Sequence, residues 1–303
     1  MKNNKLIVIL GPTASGKTDL SIKLAKKLAL SRVDGFGGVE IVSADSRQVY
    51  KGLDVGSGKI DKKEMAGIPH HLLNVANPKK RFSVNKYQKL AKKAIQNIQK
   101  KGCLPFLVGG TGFYIQSVVD GIKIPEVKPN WKLRKELESK NTEKLFLMLK
   151  KLDPSRAKKI DAKNPARLIR AIEIVTATKK PITPLQKNPQ FEVLQIGRKK
   201  SPDELKKLIN NRLQKRIKGI IGEVKKLHRS GLSFKRLEEL GLEYRYVALY
   251  LQGKIHYQEM IDKLQKGIEH FAKRQMTWFK RDKRINWVSS QKEAERLIGN
   301  FLK

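Results

Sequence analysis

"GPTASGKT", Gly11 to Thr18, is the stretch on which the fold turns. The spacing Gly11-x4-Gly16-Lys17-Thr18 is that of a phosphate-binding loop, provided a strand precedes it and a helix follows. Both are legible. "KLIVIL" (Lys5–Leu10) is a short apolar run rich in β-branched residues, which reads as a buried strand. "TDLSIKLAKKLAL" carries Leu20, Leu24 and Leu28 at helical spacing. Gly11 and Gly16 admit backbone angles closed to other residues, so the N–H groups of Thr13, Ala14, Ser15 and their neighbours converge on an anion. Lys17 adds a point charge, Thr18 offers a hydroxyl to Mg²⁺, and the helix aims its positive end at the same spot.

Working outward, "VEIVSAD" (Val39–Asp45) reads as a second strand and "PFLVGGTG" (Pro105–Gly112) as a third, ending in a glycine-rich turn. Between them, Ser83 caps a helix whose apolar stripe is Val84, Tyr87, Leu90, Ala91, Ala94, Ile95 and Ile98, with Gly102 as its stop. Strands alternating with helices predict an α/β fold, a parallel sheet of the P-loop NTPase-like kind flanked by helices. After Gly121 the texture changes. "IPEVKPNW" is a proline-punctuated link, and from Trp131 to Val175 only helical patterns occur, one of them opened by Asn164-Pro165. "FEVLQIGR" (Phe191–Arg198) then reads as a strand returning to the sheet. The expected organisation is a core of 1–121 and 188–303, interrupted by an all-α insertion over 122–187. The remainder reads as helical, starting at the capping box "SPDE" (Ser201–Glu204).

Composition narrows the class. With 303 residues, 39% of them hydrophobic, the chain can bury a sizeable core. No run reaches the roughly 18 apolar residues that a membrane span requires. The lone Cys103 excludes an internal disulfide framework and a zinc finger, and fits a cytoplasmic location. Lys and Arg number 66 against 28 Asp and Glu, a formal net charge of +38. Such an excess suits a polyanionic partner, although a generally lysine-rich composition produces the same number.

Asp45 closes the second strand, where ligands of open parallel sheets bind. Three roles fit it: holding Mg²⁺ through water, taking a proton as general base, or capping the next turn. Thr111, in "GGTG", can donate to a phosphate or serve as a plain turn residue. The third strand lacks the terminal acid of an ordinary NTPase, which counts against nucleotide hydrolysis. His70-His71 has no partner cluster at metal-ligand spacing, so a hydrogen-bonded role is expected. The tail "HFAKRQMTWFKRDKR" (His270–Arg284) interleaves aromatics with cations, as RNA-binding surfaces do and as an amphipathic helix also would.

Seven segments, in order, carry a resemblance: "GPTASGKT", "SADSRQVYKGLDVG", "PHHLL", "FSVNKYQ", "LVGGTGFYI", "NPARLIRAIEI" and "AKRQMTWFKRD". Together they resemble the tRNA dimethylallyltransferase (isopentenyl-tRNA synthase) family along nearly the whole chain. The resemblance implies transfer of a dimethylallyl group from dimethylallyl diphosphate to N6 of the adenosine 3′ to a tRNA anticodon, with Mg²⁺ as cofactor. It implies that Gly11 and Thr13 to Thr18 hold the diphosphate, that Thr18 reaches Mg²⁺, and that Asp45 is the base, with Lys17 and Thr111 assisting. It further implies tRNA contacts at Asp45, Ser46, Arg47, Gln48 and Thr111, and in the insertion at Arg134, Ala166, Arg167, Leu168, Ile169 and Arg170. A bacterial-type enzyme acting as a monomer is expected. Two departures stand out: Ser57-Gly58 where the family usually has Thr-Ala, and Asn74 where it often has Asp.

Three other readings remain at this point. An adenylate prenyltransferase would label free AMP and leaves the insertion without a use. A small-molecule P-loop kinase would transfer phosphate from ATP. A non-catalytic RNA-binding module would dispense with Asp45.

Overall fold

The computed structural model describes residues 4–31 and 36–303. Its first half runs β1 (Lys5–Leu10), α1 (Lys17–Ser31), β2 (Val39–Ser43), α2 (Lys62–Met65), β3 (His70–His71), α3 (Val84–Lys100), β4 (Leu104–Gly109) and α4 (Gly112–Val119). Next come α5 (Trp131–Glu138), α6 (Thr142–Leu152), α7 (Pro154–Ala157) and α8 (Pro165–Thr178). The chain closes with β5 (Glu192–Arg198), α9 (Pro202–Arg229), α10 (Phe234–Leu240), α11 (Leu242–Leu251), α12 (Tyr257–Phe279), β6 (Ile285–Val288) and α13 (Gln291–Leu302).

The six strands form one sheet in the order β3-β2-β4-β1-β5-β6, with every neighbouring pair parallel. β1 lies central, Ile7 standing opposite Phe106 on one side and Leu194 on the other. Its alternation sorts the two cores. Leu6, Val8 and Leu10 face the layer that packs α3, α4 and α9 to α12, whereas Ile7 and Ile9 face α1 and α13. A central parallel strand is buried on both faces, which is why "KLIVIL" reads as a continuous apolar run.

Two strands escape the sequence reading. β6 occupies four residues of the tail expected to be helical; it pairs with β5 alone, and so short a run carries too little alternation to be told from a helix end. β3 is only two residues long. Leu90, placed in the apolar stripe of α3, is exposed, while Gln88 is buried and donates from Nε2 to Ser117 O at 2.5 Å. At "SPDE" only half of the capping box forms: Ser201 Oγ accepts the Glu204 N–H, and the Glu204 carboxylate turns to Lys200.

The chain divides into two compact units, Met1–Gly121 with Pro189–Lys303, and Ile122–Asn188. The second has its own core around Leu137, Leu145, Leu149, Leu168 and Ile172. Asn164 caps α8 by accepting the Arg167 N–H at 3.1 Å, with Pro165 as first residue. No described helix is long and apolar enough to cross a membrane.

Candidate active site

The carboxyl ends of β1, β2 and β4 open into a cavity of about 360 Å³, lined among others by Thr13, Lys17, Thr18, Asp45, Ser46, Arg47, Gln48 and Thr111. Parallel strands aligned in register bring these ends together although they are far apart in sequence. The phosphate loop leaves β1 with Ala14 at φ 61° and Gly16 at φ 80°. These left-handed residues turn the backbone so that the first N–H groups of α1, which have no intrahelical acceptor, face the cavity. Ser15 is fully buried in the loop, and its Oγ has no hydrogen-bond partner.

Lys17 donates from Nζ to Pro12 O at 3.2 Å. Burial of its ammonium pulls the pKa down to about 8; Asp45 opposes that shift and the nearby Arg212 guanidinium adds to it. Asp45 lies two residues beyond β2. Its Oδ1 accepts the N–H groups of Arg47 at 2.8 Å and Gln48 at 3.3 Å, so the turn-capping role is real. Among the described residues Oδ2 makes no hydrogen bond, which leaves one carboxylate oxygen available to the cavity. Thr111 Oγ1 accepts the Ser46 N–H at 3.0 Å and caps no helix N–H of its own, so its hydroxyl proton remains to be donated. That bond ties the β4 turn to the Asp45 turn. The two also press together: a Cβ on Gly109 would lie 2.2 Å from Ala44 O, which no other residue could tolerate.

The rest of the "DSRQ" segment is structural as well as cavity-lining. Arg47 Nε donates to Leu240 O, and Gln48 Nε2 to Gly58 O at 3.2 Å. The two departures find local explanations. Ser57 keeps a hydroxyl that donates to Leu53 O at 2.5 Å. Asn74 Oδ1 accepts from Lys59 Nζ at 2.6 Å, beside the Lys59–Asp54 ion pair. The histidines are hydrogen-bonded, His71 Nε2 to Glu40 at 2.6 Å and His70 Nδ1 to Ile68 O at 2.8 Å.

Within the second unit, the predicted RNA contacts divide. Ala166 and Arg167 are exposed at the start of α8. Leu168 and Ile169 have their side chains in the unit's own core, so within this segment they offer RNA only their backbone. Arg134 and Arg170 are held by Glu173, a residue 1% exposed. Arg134 binds it with Nε at 2.8 Å and Nη2 at 2.7 Å, and the Asn130 N–H adds a bond of 2.7 Å. Burial works against the Glu173 charge, but hydrogen bonds from Arg134, Arg170 and Asn130 hold its pKa below the usual carboxylate value. These guanidiniums are therefore anchored by the fold, while their side chains remain partly exposed. In the tail, Arg284 is likewise ion-paired, with Asp120 at 2.8 Å and with Asp282.

Several further cavity residues are not assigned to the cavity by the sequence, although three of them lie in the aromatic and cationic tail. Arg212 comes from α9, Glu243 from the first turn of α11, and Phe271, Arg274 and Gln275 from α12. Burial raises the Glu243 pKa, while it lowers that of Arg216, whose Nη2 has no hydrogen-bond partner. For Arg212 and Arg216 the available signal is their spacing at i and i+4, flanking the apolar stripe of α9.

Fold and cavity together define a phosphate-loop α/β protein whose loop faces a neighbouring carboxylate and a threonine in place of a nucleotide-hydrolysing acid on β4. Comparison with known proteins narrows that class. The chain belongs to the IPP transferase family, whose model matches residues 48–282. It is 43% identical to tRNA dimethylallyltransferase 1 of Syntrophus aciditrophicus, over 99% of each chain. The crystal structure of the full-length tRNA isopentenylpyrophosphate transferase from Bacillus halodurans superposes with a TM-score of 0.73 at 34% identity, covering 99% of this chain and 97% of that one. A eukaryotic dimethylallyltransferase captured acting on tRNA superposes with a TM-score of 0.77 at 25% identity, covering 98% of this chain and 77% of that one. The phosphate loop and Asp45 precede the residues matched by the family model, but the full-length relatives span them.

Proposed function

We propose that this chain transfers a dimethylallyl group from dimethylallyl diphosphate to N6 of the adenosine immediately 3′ to the anticodon of tRNA. The observation that carries the reading is the convergence, in one cavity, of a phosphate cradle with Lys17 and an Asp45 carboxylate oxygen that makes no hydrogen bond among the described residues. The loop N–H groups and Lys17 hold the diphosphate. As the bond from N6 to the allylic carbon forms, the carbon–oxygen bond to the diphosphate breaks and its electron pair leaves on oxygen. The N6 proton passes to Asp45 Oδ2. An exocyclic adenine amine is a weak nucleophile, so removing its proton during attack lowers the barrier. Fixed cationic and N–H groups in the cradle stabilise the charge that develops on the leaving group. The target base reacts only once it is out of the helical stack.

Mg²⁺ fits the residues present. The Thr18 hydroxyl and a cavity carboxylate are hard oxygen donors, and no cluster of three His, Cys, Asp or Glu that could hold a metal occurs among the described residues. That suits an ion which keeps much of its water and arrives with phosphate oxygens. Thr18 would hold it, and it would neutralise charge on the leaving diphosphate.

Incubation with labelled dimethylallyl diphosphate and unmodified tRNA tests the reading. Label should enter the RNA. Label found in free AMP and never in RNA would reassign the acceptor, and phosphate transfer from ATP without any prenylation would refute the proposal.

A further inference from the structure

Gln275 lies on α12 and is 8% exposed, yet both corners of its amide are engaged. Oε1 accepts the Thr13 N–H at 2.8 Å, and Nε2 donates to Gly110 O at 2.8 Å. Thr13 belongs to the phosphate loop that follows β1, and Gly110 immediately precedes Thr111 beyond β4. From Thr111 the connection continues through the Ser46 N–H to the Asp45 turn. Among the described residues no other side chain hydrogen-bonds to both loops. One amide therefore ties the leaving-group side of the cavity to the side that carries the base.

We propose that Gln275 is a positioning residue for the transfer reaction: it sets the separation between the phosphate loop and the Asp45–Thr111 side. The inference rests on the proposed function. Gln275 works through backbone groups, and its own contacts are made before substrate arrives. The amide serves both partners at once, because one demands an acceptor and the other a donor. The loop geometry agrees: a Cβ on Gly110 would fall 2.5 Å from Gln275 Nε2, so the chain leaves that space to the amide. The same helix is seated by Trp278, whose ring lies 2.3 Å from where a Cβ on Gly112 would stand. It also presents Phe271 and Arg274 to the cavity, so a polyanion gripped at α12 bears on the same strut.

Steady-state transfer kinetics of Gln275→Met and Gln275→Glu, with melting temperature and tRNA affinity measured in parallel, test the assignment. Gln275→Met should lower kcat about 10–100-fold, the order expected when reacting groups are misplaced by about an ångström, with tRNA affinity unchanged. Gln275→Glu keeps the acceptor for Thr13 but sets an oxygen against Gly110 O. Its rate relative to wild type should rise as pH falls toward the carboxyl pKa, because the protonated acid restores the donor. A purely structural role predicts no such rise. Gly110→Ala displaces the same amide, so Gly110→Ala combined with Gln275→Met should be no worse than the poorer single variant. Wild-type turnover in a folded Gln275→Met protein, additive losses, or a flat pH ratio for Gln275→Glu would each overturn the assignment. Should wild type itself transfer no label to tRNA, the proposed function fails instead, and the two failures are distinct.

Discussion

Asp45→Asn separates the proposed base from the cap, because the two carboxylate oxygens have different surroundings. Oδ1 accepts two backbone N–H groups and Oδ2 lines the cavity without a protein partner among the described residues. Asparagine retains one carbonyl oxygen, and as a cap it is nearly the equal of aspartate. If capping were the whole role, turnover would change little and melting would be unmoved. If Oδ2 takes the N6 proton, the amide has no basic oxygen to offer, and kcat should fall by about 10²–10⁴-fold, the usual worth of a positioned general base. Asp45→Ala serves as the contrast, since it loses both functions and should add a stability loss of about 1 kcal/mol for the missing cap.

The assay is single-turnover transfer of labelled dimethylallyl to saturating tRNA, with affinity for the RNA measured separately. Asp45→Asn should bind tRNA as wild type does and transfer slowly. A rate within a few-fold of wild type, alongside an impaired Asp45→Ala that melts early, would refute the base assignment and leave Asp45 as a turn cap. The substitution has a second readout. Asp45 supports the Lys17 charge against burial, so its removal should move the Lys17 pKa further down from about 8.

Lys17 itself predicts a pH dependence. Its folded pKa of about 8 lies below the ordinary lysine value of 10.5, so the unfolded chain binds more protons between those values. Stability of the ligand-free protein should therefore rise with pH across that window, an increment absent in Lys17→Met. Donor KM should rise over the same range as the cation is lost, which pH-resolved kinetics of the two proteins will show. Glu173→Ala removes the carboxylate that Arg134 and Arg170 share and leaves two guanidiniums without that partner; breaking a buried pair costs about 3–5 kcal/mol. Hydrogen exchange should show loss of protection in 122–188 with donor binding intact, and unchanged protection would refute the hub. Affinity for tRNA should fall steeply with salt, log–log slope about −0.7 per phosphate contact on single strands and about −0.9 on duplex. A flat response would return the +38 charge to composition alone.

What the sequence disclosed and what it hid follow from the range over which each residue acts. The phosphate loop, Asp45 and Thr111 sit at the ends of buried strands, where glycine, β-branched and apolar patterns mark both the strand and its terminus. Gln275 reaches Thr13 across 262 positions, and a helical stripe reports which face is buried without saying what stands beyond it. Arg134 illustrates the converse. In the sequence it is one cation among 66 Lys and Arg, as suitable for RNA as any; only the fold pairs it with Glu173, 39 positions away. Charge counting thus does not distinguish free cations from paired ones, and Arg170 and Arg284 repeat the lesson. The chemistry, too, depends on a placement that no motif encodes. A phosphate loop by itself favours departure of any diphosphate as readily as it holds a nucleotide. What directs it toward alkyl transfer is that β4 ends in glycine and threonine, not in an acid, so Asp45 is the carboxylate the strand ends bring to the cavity. Half of that carboxylate is bound by its own turn, which holds the other oxygen where the proposed transfer needs a proton acceptor.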